Sequence, residues 1–242
     1  MIKSIEPSKA RIIFFDLEFY VPIQNRKESG FNYNPAIEGN LLLGGSFYSS
    51  SPTKDLLPEK TFNQNKLKHF WLWQHNGEKH LLESIYKHLR EIEAQIYRHF
   101  QGVVSPVVCG IGISNSDLPV LFHLFSKHEI DTPANLFEFQ NLLRVIDLSQ
   151  LSIGLFNKKD AFLYPKTKNE ILSKCLRGKT MESGKNIWEL YECGDLKKIE
   201  ARVSEEISST ISCYKIIKKN FDLFKQLEAE HKKQLKNKAA SK

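Results

Sequence analysis

The chain has 242 residues, 41% hydrophobic and 26% charged, which suits a soluble globular protein of one large domain or two small ones. Apolar runs such as Leu41 to Leu43 are far too short to cross a bilayer, and the opening MIKSIEPSKAR lacks the apolar core of a signal peptide, so a cytoplasmic address without membrane contact is expected. The net charge of +7 is uneven: from Lys215 to Lys242 nine lysines face three acids, so the body is near neutral and the end is a basic tail. Such a tail is a solvated helix face, or a surface for nucleic acid or a protein partner.

Residues 11 to 21, RIIFFDLEFYV, are densely apolar and aromatic and read as a central strand covered on both faces. LLLGGSFY (41 to 48) and KHFWLWQ (68 to 74) read as two further strands, separated by the turn-rich SSSPTKD, and their order predicts an antiparallel meander. The period then changes. Leu81, Leu82, Ile85, Leu89, Ile92, Ile96 and Phe100 recur every three or four positions, the pattern of an amphipathic helix over 78 to 100. PVVCGIGIS (106 to 114) is a fourth buried strand, followed by a helix opening near Asp117, and RVIDL (144 to 148) is a fifth. Helices are expected over 167 to 177, over 183 to 193 and from about Asp195 onward, with the last dozen residues, HKKQLKNKAASK, frayed. The expected class is therefore α/β: a central mixed five-stranded sheet with helices on both faces. Cysteines at 109, 175, 193 and 213 form no close-spaced pair, which argues against structural zinc and for buried free thiols.

Asp16 and Glu18 stand two apart on the first strand and so project from one face, with Phe14 and Tyr20. Two carboxylates this close repel unless a cation bridges them. Asp117 follows the fourth strand in an SNSD turn, where Ser114, Asn115 or Ser116 is placed to cap the coming helix. On the last helix, Leu196, Ile199, Val203, Ile207, Thr210 and Tyr214 form an inward stripe. At about 100° per residue Glu206 lies about 60° from Val203, at the margin of that stripe, with Glu200 on the opposite margin and Glu205 facing solvent.

FFDLEF, SNSDLPVL and GDLKKIEARVSEEISSTISCY resemble, in order, the three motifs of the DEDD 3′→5′ exonucleases. These have a ribonuclease H-like fold, and the nearest likeness is to exonucleases similar to the proofreading domain of family-B DNA polymerases. The resemblance covers roughly residues 10 to 217, which it implies are an exonuclease domain (1 to 217) followed by a basic helical tail (218 to 242). It implies that Asp16, Glu18, Asp117 and Glu206 are the catalytic carboxylates and hold two Mg²⁺ or Mn²⁺ ions, hard cations that prefer oxygen donors. The implied reaction is hydrolysis of phosphodiester bonds at single-stranded 3′ ends of DNA or RNA. Phe19 and Tyr20 would then stack on the terminal nucleotide, with Asn115 and Arg202 also touching substrate.

Two positions depart from the motif. Glu206 replaces the usual aspartate, and Arg202 stands where the family has the tyrosine that orients the attacking water. Arginine offers no acceptor, so it cannot serve as general base, and one turn from Glu206 it is placed for a salt bridge. His123 is a candidate substitute base. The alternative to an exonuclease is a catalytically degenerate relative that binds nucleic acid or a protein.

Overall fold

The computed structural model describes residues 9–27, 33–51, 54–56, 60–100, 104–156, 167–182 and 184–240. Strands β1 (Ile12–Tyr20), β2 (Leu41–Ser50) and β3 (Leu67–Trp71) form the expected antiparallel meander. Strands β4 (Val107–Gly110) and β5 (Arg144–Asp147) add in parallel on the far side of β1, giving the order β3-β2-β1-β4-β5. This is a five-stranded mixed sheet in an α/β domain, in keeping with a ribonuclease H-like fold. The central place of β1 explains its composition, since a strand flanked on both edges and covered on both faces has no side open to water.

Its alternate residues feed two cores. Ile13, Phe15 and Leu17 pack with helices α1 (Glu78–Phe100), α2 (Asp117–Lys127) and α3 (Pro133–Leu142) on one face. Ile12 and Phe14 pack on the other, with α4 (Leu148–Leu151), α6 (Lys168–Cys175), α7 (Asn186–Glu192) and α8 (Leu196–Ala240); the short α5 (Ile153–Phe156) follows α4. Removing a side chain such as Phe14 or Phe15 from water contributes about 1.5–3 kcal/mol, and both are essentially fully buried. The period of two places Asp16 and Glu18 on the Phe14 face, under α8.

The boundaries differ from the sequence reading for identifiable reasons. The fourth strand ends at Gly110 rather than 114, because Gly112 turns the backbone into the left-handed region (φ 77°) and Asp147 draws the Gly112 and Ser114 N–H groups onto its carboxylate. The third strand ends at Trp71, and Leu72–Gln74 close a 3₁₀ turn. Helix α3 carries little amphipathic pattern and escaped the reading, although Thr132 caps it by accepting the Asn135 N–H and Pro133 opens it. Helix α8 runs unbroken through Ala240, so residues 231 to 240, expected to fray, continue the helix that begins at Leu196. Cys109, Cys175 and Cys213 are buried free thiols as expected; Cys193 is exposed just beyond α7. Among the described residues no helix is long and apolar enough to cross a membrane.

Candidate metal centre

Strand β1 outruns its parallel neighbour. It pairs with β4 only through Ile12, Ile13 and Phe14, so its later residues face the turn that follows β4. Asp117, the first residue of α2, fills that gap: one carboxylate oxygen accepts the Leu17 backbone N–H at 3.0 Å. A buried backbone donor without a strand partner needs an acceptor, and here a carboxylate supplies it. The Ser116 hydroxyl lies 2.5 Å from the other oxygen of Asp117 and 3.0 Å from the Gly112 carbonyl, so Ser116 holds the N-cap position without capping. Asp147 anchors the turn from below, accepting from the N–H groups of Gly112, Ser114 and Ser149 and from the Ser114 hydroxyl. On its other edge β1 carries a register shift between Glu18 and Phe19, opposite Gly44. Bulges of this kind re-aim side chains and recur near functional sites.

Asp16 and Glu18 project toward α8 and meet Glu206. Oxygens of the three carboxylates lie within 4.8 Å of one another, and all three residues are buried. Asp117 lies outside that close triad but lines a cleft of about 350 Å³ with Asp16, Glu18, Phe19 and Trp188, while Glu206 lines an adjoining pocket with Asp16, Glu18, Lys168 and Arg202. Helix α8 buries Ile199, Val203 and Ile207 against the sheet, and Glu206 shares this buried side at 2% exposure. Its rivals point elsewhere: Glu200 accepts the Trp73 indole N–H at 3.2 Å, and Glu205 pairs with Lys179 at 2.8 Å.

Two cations enter the cluster. The Arg202 guanidinium donates to Glu18 at 2.5 Å and pairs with Glu206 at 2.7 Å, the i,i+4 contact its position allows. The other cation, Lys168, is absent from the sequence reading. Its Nζ donates to Asp16 Oδ1 at 2.7 Å and to Glu206 Oε2 at 2.9 Å. A local signal marks the helix start, since TKNE is a capping box and the Thr167 hydroxyl accepts the Glu170 N–H. Nothing local aims the lysine at an acid 152 positions away.

The electrostatics follow from burial. Removal from water raises the Asp16 carboxyl well above its ordinary range despite Lys168, and the neighbouring Glu206 adds to the rise. Burial, then the Glu206 charge, push Glu18 to about 7 against the pull of Arg202. Burial also raises Asp117, opposed by Ser116 and Lys168. Glu206 goes the other way: burial is outweighed by Lys168, a hydrogen bond with Asp16 and Arg202, which together hold it down at about 2. The same carboxylates outweigh burial at Lys168 and Arg202 and raise both.

The remaining expected residues divide. Phe19 lines the cleft, stacks on Tyr33 with ring centres 4.3 Å apart, and has its carbonyl held by the Trp188 indole N–H at 3.1 Å. Tyr20 does not line it; its hydroxyl donates to Glu192 and its ring leans on Tyr191. Asn115 is exposed on the turn and His123 is exposed on α2, neither lining the cleft, so the substrate role expected of Asn115 and the base role considered for His123 find no geometric support. Arg26 lies over the Trp188 ring at 4.8 Å and pairs with Glu192.

The donor set fits a hard divalent cation. The converging atoms are carboxylate oxygens, and Asp16 Oδ2 is buried with no hydrogen-bond donor reaching it. No family model matches the chain, and no curated protein matches it.

Proposed function

We propose that the protein is a metal-dependent 3′→5′ exonuclease of the DEDD type, hydrolysing phosphodiester bonds at the ends of DNA or RNA. The observation that supports this most is the meeting of Asp16, Glu18 and Glu206 within 4.8 Å, where Asp16 and Glu18 also line a cleft with Asp117. Carboxylates buried together at this density are tolerated when cations balance them. Bound there, Mg²⁺ or Mn²⁺ would supply Lewis-acid stabilisation of the phosphodiester and lower the pKa of a bound water. The chain's own residues do the rest. Asp16, Glu18 and Glu206 hold positive charge against the scissile phosphate. Phe19, braced by Tyr33 and Trp188, offers an aromatic wall for a terminal base. Arg202 only donates, so it binds a phosphate oxygen but takes no proton from water.

A second reading is favoured by one specific observation. Arg202 and Lys168 already pair with Glu18, Asp16 and Glu206, as in a degenerate site where built-in cations have replaced metal. Such a domain would bind nucleic acid or a protein without cleaving.

One assay separates the two. Pure protein is incubated with end-labelled single- and double-stranded DNA and RNA in Mg²⁺, in Mn²⁺ or in EDTA. Stepwise shortening from the 3′ end that disappears in EDTA and in Asp16→Ala establishes the exonuclease. Retention of the label with no shortening in either metal replaces it with the binding module.

A further inference from the structure

The cleft's acids are balanced in part by charges of the chain itself, and both are firmly placed. Lys168 is the first residue of α6; next to it Asn169 exchanges two hydrogen bonds with the Met181 backbone, at 2.7 and 2.8 Å, which pins the start of that helix. Arg202 sits in the second turn of α8 and spends a further N–H on the Glu182 carbonyl at 3.2 Å. The other charged residues of the lining touch none of these acids in the bonds they make: Lys185 donates to the Lys27 carbonyl, and the Glu182 carboxylate takes the Asn186 amide. A bound cation displaces the protons that burial holds on Asp16 and Glu18; with Asp16, Glu18, Asp117 and Glu206 then ionised, the two cations that touch these acids leave two negative charges unmatched. That is the charge of one divalent ion, not of two. The hydrogen bonding also leaves a position open: among the fully buried oxygens of these four acids, Asp16 Oδ2 meets no donor, whereas the other oxygen of Asp16 is held by Lys168.

We propose that this cleft takes up one divalent cation, seated on Asp16 Oδ2, with Lys168 and Arg202 standing in for a second. The inference rests on the reading of the cleft as a metal centre and narrows it from two ions to one. A buried ion needs compensation nearby, and the ammonium and guanidinium already compensate the Glu206 side of the cluster. Uptake of a second ion would require at least one of them to leave its carboxylates.

The test counts ions directly. The full chain is titrated with Mn²⁺ by calorimetry and by the paramagnetic resonance of free Mn²⁺, as wild type, Lys168→Met and Asp16→Asn. Wild type is expected to bind one ion per chain. Lys168→Met removes a competing positive charge and keeps an apolar stem, so it is expected to bind a second ion or to hold the first roughly ten-fold tighter or more. Asp16→Asn is expected to lose the ion. Two ions in wild type, or a lysine variant with unchanged count and affinity, overturn the inference and leave the metal-centre reading standing. No uptake by any of the three overturns the metal-centre reading itself. If far-UV circular dichroism finds Lys168→Met unfolded, Lys168→Gln takes its place in the same titration.

Discussion

Arg202 Nη1 lies 2.5 Å from Glu18 Oε1, tying the later part of the central strand to a helix residue 184 positions further along the chain. The same guanidinium holds Glu206, and the side chains involved are 12%, 9% and 2% exposed, so these ion pairs stand largely out of water. Deleting one partner of a buried pair strands the other, which typically costs about 3–5 kcal/mol. Arg202→Met is therefore expected to lower stability by about 2 kcal/mol or more in EDTA. Saturating Mn²⁺ is expected to restore much of the loss. Urea melts with and without metal measure both, and a variant as stable as wild type in EDTA would show that the pair contributes nothing.

Glu18 carries a pH signature. Its carboxyl is raised from 4.5 to about 7 by burial first and the Glu206 charge second. The folded protein therefore keeps a proton on Glu18 over a range where the unfolded chain has released it. That contribution to stability is complete below about pH 4.5 and is lost as pH rises through about 7. Glu18→Gln, which copies the protonated form, removes the dependence. In EDTA the variant is expected to gain on wild type between pH 5 and 8, and parallel curves would refute the assignment.

Asp147 holds the turn that carries Asp117 without lining the cleft itself. It accepts from Gly112 N–H at 2.9 Å, Ser114 N–H at 3.0 Å, Ser149 N–H at 2.8 Å and the Ser114 hydroxyl at 2.5 Å. Buried donors left without an acceptor cost about 1–3 kcal/mol each when water does not replace it. Asp147→Ala is expected to destabilise by about 2 kcal/mol or more, to speed amide exchange at Gly112 and Ser114, and to weaken Mn²⁺ binding. Unchanged exchange at those two amides would refute the anchoring role.

Gly44 stands opposite Glu18 at the register shift, with φ 125°, and a methyl group there would lie 2.0 Å from the Phe70 carbonyl oxygen. A side chain meets both backbone strain and a collision with a neighbouring strand. Gly44→Ala is expected to cost about 2 kcal/mol or more in a denaturant melt. Gly154→Ala, in helix α5 with open space around it, is expected to be neutral or slightly stabilising. Equal effects at the two positions would remove the steric account.

Much of the fold is legible along the chain. The strand period put Asp16 and Glu18 on one face of β1, and the helical period put Glu206 beside Val203 and Ile207; both periods are properties of a few consecutive residues. The glycine-dependent turn after β4 was harder to read, because the agent that ends the strand is Asp147, more than thirty positions later. The substrate residues chosen by adjacency to a motif fared unevenly. Phe19 lines the cleft and Tyr20 does not, although strict alternation would put Tyr20 on the face of Asp16 and Glu18; the register shift between Glu18 and Phe19 breaks that alternation, and Asn115 is exposed on its turn.

From the order of its amino acids alone, this protein is an α/β chain with acids at the centre of a buried strand, on a turn and on the inner side of a helix. Those features rest on local periodicity, side-chain size and turn chemistry. Only the folded molecule decided that residues 16, 18 and 206 close on one another, that 117 caps the open edge of the first strand, and that Lys168 and Arg202 neutralise part of the cluster. Charge balance in a buried cleft depends on which distant segments pack together, and no run of neighbouring residues encodes that.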